Sequence, residues 1–290
     1  MHAESRHEWR AGGSPLNPLL PQWQAERNRH ADARVLVMVD TAMQHELGQA
    51  LAENPAGALS LLPAELPADG QALGAWLLAE EQAKALGIDG SARGVNWIIS
   101  KLVLKEAAEH LRRWVLMPLP DETPRGYVCI ADGRSLSALL TVWNENQRAA
   151  FFSPWHAWCY ADRDGKGVLV DIPLQAQAHL SKAADPQLDE VQYRRLLEAS
   201  VADQLLHELK AYVQPHASLS SRQMRYLMAA AVIDRAKSEG YLQPQDWMTL
   251  IGWCLRVGVP EYKALFNQAA LRESLQGSEL WDALMKKEMT

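Results

Sequence analysis

Hydrophobic and polar positions change their spacing along the chain, and this change divides it into three parts. Residues 1–33 combine Gly12-Gly13, three prolines and a charged run, which predicts an irregular N-terminal extension. Residues 34–173 alternate short apolar runs with amphipathic stretches, which is typical of strands that alternate with helices. Residues 174–290 place apolar side chains at helical spacing without strand-like alternation. The predicted fold class is therefore α+β, with a mixed-sheet α/β N-terminal lobe followed by an all-helical C-terminal lobe.

Short apolar runs that end at polar or turn-forming residues predict the strands of the middle part. These strands lie at 34–40, 58–62, 95–100, 114–119, 127–132, 155–160 and 168–172, and the last two predict a hairpin. Stretches with a helical apolar face predict helices, which Asp40 or Thr41 and Ser100 are placed to cap. The helices are predicted at 41–53, 71–86, 102–113, 135–143, 146–152, 188–213, 219–239, 244–258, from Pro260 onward, and 278–287.

Composition favours a folded protein that binds no nucleic acid and has no membrane span. The chain has 290 residues, of which 48% are hydrophobic and 22% charged, and its net charge is -6 with a pI near 5.9. Its longest apolar stretch, Leu227–Ile233, is far shorter than a membrane span, and the polar segment 2–13 has no signal-peptide character. The widely separated Cys129, Cys159 and Cys254 suit a reducing compartment. We therefore expect a cytoplasmic protein.

Motifs for metal, phosphate and nucleophile sites are all incomplete. His45-Glu46 and His207-Glu208 lack the second histidine of H-E-x-x-H, and the acidic loop 162–167 lacks the later ligands of a calcium loop. Neither glycine-rich phosphate loop nor G-x-S-x-G occurs in the sequence. Cys159 and His156 stand three apart in a predicted strand, so their side chains face opposite ways. These patterns predict no catalytic residue, no cofactor and no metal site.

Polar residues at the ends of predicted strands leave an enzyme open as an alternative. Asp40, Ser100 and Asp132 each follow a strand, and in a parallel sheet such positions share the ligand-binding edge. Together with His110, they are the residues that a hydrolase-like or nucleotide-binding enzyme would use. The other interpretation is architectural: Asp and Ser cap the next helix for about 1 kcal/mol, Asp132 pairs with Arg134, and His110 bonds to a local carbonyl. A third class, a regulator that binds a small ligand, predicts a closed apolar pocket.

The same polar residues carry a resemblance to a known family. The motifs are Val39-Asp40-x-Ala42, Ser100 before a helix that reaches His110-Leu111-Arg112, Asp132-Gly133-Arg134 followed by Leu136, and Phe151-Phe152-Ser153-Pro154 before a Trp-rich strand. In order and spacing, residues 35–172 resemble the type VI secretion effector chaperones, also called adaptors, of Gram-negative bacteria. The chain departs from the family pattern at two places. An arginine–aromatic pair is usual where Cys129-Ile130 stands, and proline is usual at Gly133.

The resemblance implies a non-enzymatic chaperone and adaptor. Such proteins hold a toxic effector in the producing cell, load it onto the tip of the spike protein VgrG, and stay behind when the effector is fired. The implied partners are a cognate type VI effector, bound through its N-terminal segment, and the C-terminal region of the spike. The resemblance also implies structural rather than catalytic roles for the signature residues Asp40, Ser100, His110, Arg112, Asp132 and Arg134.

Tryptophan is unusually abundant, with eleven residues beside only three phenylalanines. Because protein interfaces are enriched in tryptophan, Trp97, Trp155 and Trp158 are predicted to anchor a partner in a cleft between the two lobes. Residues 155–160 are also predicted to offer a sheet edge to an extended peptide.

Overall fold

Short apolar runs form strands and amphipathic stretches form helices in the structure, which confirms the predicted α+β class. The computed structural model describes residues 21–90, 92–120, 122–172, 186–258 and 279. Two units can be distinguished, Met1–Gln192 and Tyr193–Thr290. The division after Gln192 lies well beyond the predicted boundary at 173–174, and residues 173–185 lie outside the described part.

Six strands of the first unit form one sheet in the order β2-β3-β1-β4-β7-β8, and β5 and β6 form a separate two-stranded sheet. Every described strand pair is antiparallel, whereas the sequence predicted a mixed sheet. Alternation of strands and helices along the chain does not itself fix strand direction, because a helix can connect neighbours of either orientation. The strands are β1 (Arg34–Asp40), β2 (Leu59–Ser60), β3 (Ala75–Ala79), β4 (Val95–Ser100), β5 (Leu116–Leu119), β6 (Glu122–Tyr127), β7 (Trp155–Ala161) and β8 (Gly167–Leu169).

The central strands are buried on both faces of the six-stranded sheet, which explains their continuous apolar runs. In β1, Val35, Val37 and Val39 pack in one cluster with Trp23 of the first helix, while Leu36 on the opposite face is also buried. The helices of this unit are α1 (Pro21–Arg29), α2 (His45–Glu53), α3 (Ala68–Gln71), α4 (Glu80–Ala85), α5 (Leu104–Val115), α6 (Gly133–Val142) and α7 (Glu145–Phe152).

The predicted helix over 71–86 is wrong, because its centre is strand β3. The segment Ala75–Ala79 pairs with both β1 and β2 and is buried along most of its length. A short apolar run buried on both faces has no two-residue alternation, so its spacing matched a helical face by coincidence. Only the four-residue α3 before the strand and the six-residue α4 after it are helical.

Two further predictions differ from the structure near the chain's turns. The strand predicted at 127–132 lies earlier, as β6 (Glu122–Tyr127), because this segment forms a hairpin with β5. The predicted irregular extension 1–33 contains α1, which begins at Pro21, a residue whose fixed φ suits the first helical position. Residues 1–20 of that extension lie outside the described part.

The second unit is helical in its described residues. It contains most of α8 (Glu190–Leu209), then α9 (Arg222–Ser238) and α10 (Pro244–Val257). Ser221 caps α9 by accepting a hydrogen bond from the Met224 amide at 3.1 Å, and Gly258 ends α10 with a left-handed φ of 64°. Apolar side chains from the three helices form one buried core, which includes Leu205, Val232 and Leu250. The helices predicted from Pro260 and over 278–287 lie outside the described residues except for position 279.

Within the described ranges, no helix combines the length and apolar character that a membrane crossing requires.

Candidate functional site

Asp40 begins a cluster of polar residues, here called the acid cluster, which consists of Asp40, Cys129, Asp132 and Arg134. The Asp40 carboxylate ends β1 and accepts a hydrogen bond from the Ala42 amide at 3.1 Å, so it caps a single turn of 3-10 helix. The residue is only 4% exposed. Burial, and then the negative charge of Asp132, raise the pKa of Asp40 to about 6 against the opposing effects of the Ala42 amide and Arg134.

Asp132 forms a direct ion pair with Arg134. Its carboxylate caps α6 by accepting from the Arg134 amide at 2.9 Å. The Arg134 guanidinium donates to the same carboxylate through Nε at 3.0 Å and through Nη2 at 2.7 Å. This two-point contact fixes the arginine beside both acids, so the acid cluster holds two carboxylates close to one guanidinium.

Cys129 brings no charge to the acid cluster. Burial, and then the charges of Asp40 and Asp132, raise the pKa of its thiol to about 12, so the thiol stays protonated at neutral pH and is a poor nucleophile. In the family that the sequence resembles, arginine is usual at this position. A cation there would favour the ionised form of Asp40, whereas a protonated thiol supplies no charge.

Gly133 begins α6 where the chain passes very close to the end of β7. A Cβ atom on this glycine would lie 2.5 Å from the carbonyl oxygen of Ala161 and 2.7 Å from Cδ2 of Tyr160. Proline, usual in the resembling family, is favoured at the first position of a helix, but its ring has no room here. The tight approach to β7 therefore explains why this chain has glycine.

Replacing Gly133 with alanine is expected to lower the free energy of unfolding by about 1–3 kcal/mol, because β7 or α6 must move to admit the methyl group. Urea unfolding followed by tryptophan fluorescence measures the change. Gly70→Ala is the matched control, since its nearest neighbours would be at 3.7 Å or more. Equal midpoints for the two variants would contradict the packing argument.

A hydrogen-bond chain through the sheet holds the loop that precedes Asp132. The Asn96 amide donates to the carbonyl of Ala131 at 2.7 Å, and its oxygen accepts from Nε1 of Trp158 at 3.0 Å. Asn96 was missed by the sequence analysis. An asparagine inside the apolar strand VNWIIS was the available signal, because a buried amide needs partners.

Ser100 and His110 support a different segment, which consists of the end of α7 and the turn before β7. Ser100 donates to the carbonyl of Pro154 at 2.8 Å and accepts from the Leu102 amide at 3.1 Å, two residues before α5 begins. Nε2 of His110 lies 2.9 Å from the carbonyl of Phe151, which makes this nitrogen the donor. Burial is the main cause that lowers the pKa of His110 to about 4, so the ring is neutral at pH 7.

The four residues of the enzyme alternative are divided between two places. Arg34, at the start of β1, is paired with Ser100, whereas Asp40 is at the other end of that strand. Six residues of extended strand separate the two ends by about 20 Å. The parallel edge assumed for Asp40 and Ser100 is absent from the described sheet, because β1 and β4 run in opposite directions. Ser100 is therefore remote from Asp40, whereas Asp132 is near enough to raise the pKa of Asp40 by its charge.

The three tryptophans predicted as partner anchors are core residues. Trp97, Trp155 and Trp158 are 2%, 0% and 0% exposed. Trp158 packs against Phe151 with ring centroids 5.1 Å apart, within a group of aromatic rings that also includes Trp155. None of these rings is exposed on the folded lobe, so an anchoring role would require them to leave the core. Large aromatic side chains serve cores and interfaces equally, and the sequence does not separate the two uses.

The sheet edge predicted at 155–160 is an inner strand over part of its length. β7 pairs with β4 on one side and, over Cys159–Ala161, with β8 on the other. The outer strands of the described sheet are β2 and β8.

Fold and polar residues together define an α+β protein in which the conspicuous polar side chains cap helices and fix loops. Comparison with known families gives a match to the Domain of unknown function (DUF4123) over residues 18–150. Neither the curated proteins nor the solved structures gave a match to the chain.

Proposed function

We propose that this protein is a non-enzymatic chaperone and adaptor that holds a type VI secretion effector and loads it onto the spike. The family match over 18–150 overlaps the segment 35–172 on which the resemblance to such adaptors rests. The family match contains α1 and strands β1 to β6 but ends before β7. The resembling segment begins after α1, within β1, and continues through β8. The partners proposed are the effector's N-terminal segment and the C-terminal region of the spike.

The observation that carries the proposal is the use made of the signature side chains. Asp40 and Asp132 each accept a backbone N–H, whereas Ser100 and His110 each donate to a backbone carbonyl, in the turn before β7 and in the last turn of α7 respectively. Such bonds shape a surface and stabilise loops, as an adaptor requires. A hydrolase of the alternative kind needs its nucleophile and base within hydrogen-bond reach of each other.

The division of these residues between two ends of β1 also favours the adaptor. Ser100 uses its hydroxyl proton on Pro154, and His110 uses its ring N–H on Phe151. Activation of the serine would require its hydroxyl to leave the Pro154 carbonyl and to reach Nδ1 of His110, because Nε2 carries the proton given to Phe151. The cost of this one part-buried hydrogen bond is about 0.5–1.5 kcal/mol, which opposes this arrangement as a resting active site.

Co-expression with the effector and spike proteins encoded beside its gene tests the proposal. We expect the full-length chain to co-purify with one neighbouring effector and to increase the soluble yield of that effector. Size-exclusion chromatography with light scattering gives the stoichiometry. A Ser100→Ala, His110→Gln variant that remains folded is expected to retain the complex. Clean failure with every neighbouring effector, or a hydrolytic activity lost in the double variant, would overturn the proposal.

A further inference from the structure

A cleft of about 610 Å³ lies beside the outer strand β2, and it is called the edge cleft here. Its lining is mostly apolar and includes Leu62, Trp76 and Leu116, and its two charged residues are Arg112 and Glu65. This volume is within the range of sites that take a small ligand or a few side chains. The edge cleft lies within the first unit, and none of its lining residues belongs to the acid cluster.

Arg112 reaches the edge cleft because it covers an open strand edge. Leu61 donates to the Ala75 carbonyl at 2.8 Å, so the carbonyl of the preceding Ser60 points away from β3. Arg112 donates to that outward carbonyl through Nε at 3.2 Å and through Nη2 at 2.7 Å. The contact satisfies an edge carbonyl and keeps another strand from pairing with β2 at this point.

The same contact leaves much of the guanidinium unused. A guanidinium has five N–H donors, and Arg112 directs only its Nε and one Nη2 hydrogen at Ser60. No carboxylate of the described residues forms an ion pair with it. Two other part-buried arginines of this unit do have acids: Arg27 pairs with Glu80 at 2.9 Å, and Arg134 pairs with Asp132. The end of the Arg112 guanidinium that carries Nη1 and Nη2 therefore has the geometry to take a carboxylate with two parallel bonds.

We propose that the edge cleft docks an extended segment of the partner protein that carries an apolar side chain next to an aspartate or glutamate. The apolar side chain occupies the cleft beside Trp76, and the carboxylate binds the Nη1–Nη2 end of Arg112. Charge complementarity selects this occupant, because an apolar segment without an acid would leave the cation unpaired on binding. That the partner is the effector rests on the proposed function. The chemistry of the edge cleft does not depend on it.

The docked segment is not an additional strand of the sheet. Ser60 offers its outward carbonyl to Arg112, so a pairing strand would have to displace the arginine and forfeit a charge-assisted hydrogen bond. Side-chain insertion keeps this bond and adds the carboxylate to the opposite end of the same guanidinium. Recognition therefore depends on side chains, and a short acidic–apolar motif is enough to detect it.

A peptide titration tests the edge cleft without any knowledge of the partner. The full-length, 15N-labelled protein is titrated with a capped Leu-Asp-Leu-Leu peptide and with its Leu-Asn-Leu-Leu counterpart, to about 5 mM because a short motif binds in the millimolar range. We expect shifts of the Arg112 Nε–H and Trp76 Nε1–H resonances with the acidic peptide. The amide peptide is expected to bind at least about fivefold more weakly than the acidic peptide, because it lacks the charge. Absence of both shifts, or equal shifts with the two peptides, would overturn the inference.

Exposed alanines near the edge cleft supply matched variants for the effector complex. Ala64 lines the cleft and Ala68 does not, and both are exposed, so neither substitution is expected to impair folding. Ala64→Glu is expected to weaken effector binding about tenfold by repelling the incoming carboxylate, while Ala68→Glu retains wild-type affinity. Equal affinity of both variants would overturn the edge cleft as the effector site. If the wild-type chain binds no effector at all, the proposed function fails and the peptide titration still decides the cleft.

Discussion

Trp158→Ala is expected to lower the free energy of unfolding by about 3–5 kcal/mol, the largest effect of any single change considered. The ring is fully buried and packs against Phe151, Phe152 and Trp155, so its removal leaves a cavity in the centre of the lobe. Its Nε1 also satisfies the oxygen of Asn96, which would remain buried without a donor. Chemical denaturation followed by circular dichroism measures the loss.

An exposed apolar residue of the same unit provides the control for Trp158. Leu73 is 51% exposed, and Leu73→Ala is expected to change the free energy of unfolding by no more than about 0.5 kcal/mol. A Trp158→Ala protein with wild-type stability but weakened partner binding would contradict the burial argument and restore tryptophan to the interface. Loss of both properties together follows from unfolding alone and supports burial.

The contrast between β1 and β3 shows how far the sequence predicts this fold. The run RVLVMVD is apolar, β-branched and closed by an acid, so it predicted β1 with its observed bounds. The run AWLLA in β3 has the same environment, with β1 on one side and β2 on the other. It lacks β-branched residues and is flanked by helix-compatible segments, and only tertiary pairing makes it a strand. Local composition determined the first strand, while neighbours determined the second.

Candidate site residues were recognised from the sequence, but their grouping was not. Asp40 and Ser100 both end strands, and this much follows from the pattern of polar and apolar residues. Whether two strand ends meet depends on strand direction, which no local pattern contains. Similarly, the apolar pattern could not reveal that Arg112 covers the carbonyl of Ser60, since the two lie 52 residues apart.

Asp40→Asn is expected to raise the free energy of unfolding at pH 7 by about 1–3 kcal/mol. The pKa of Asp40 is raised from 3.8 to about 6 by burial and then by Asp132, so ionisation at neutral pH opposes folding. For such an acid the folded state holds its proton more tightly, and stability therefore falls as the pH rises from about 4 to about 6. Asparagine removes the charge and keeps an oxygen that can accept the Ala42 amide.

The same variant should uncover an acid lability that Asp40 offsets in the wild-type protein. The pKa of His110 is lowered from 6.5 to about 4, mainly by burial, and that of His156 is lowered by burial and by His30. A histidine with a lowered pKa stabilises the fold fully above pH 6.5, and this stability is lost as the pH falls toward the folded-state pKa. The effects of Asp40 and of the histidines have opposite signs over pH 4–6, so the free energy of unfolding of the wild-type protein is expected to change little there. That of Asp40→Asn is expected to fall by about 2 kcal/mol as the pH is lowered from 6 to 4, after allowance for the partial exposure of the histidine rings.

Urea titrations at half-unit intervals from pH 4 to pH 8 distinguish the two curves, with Asp69→Asn as a control that removes one negative charge at an exposed position. Parallel curves for the wild type and Asp40→Asn would contradict the assigned pKa of Asp40.

Effector binding by the stabilised variant then distinguishes a structural role of the acid cluster from a role in partner recognition. Retained binding leaves Asp40 as a helix cap whose charge costs stability, because the asparagine preserves the cap. Lost binding in a more stable protein assigns the buried charge to partner recognition, since no loss of folding can account for it.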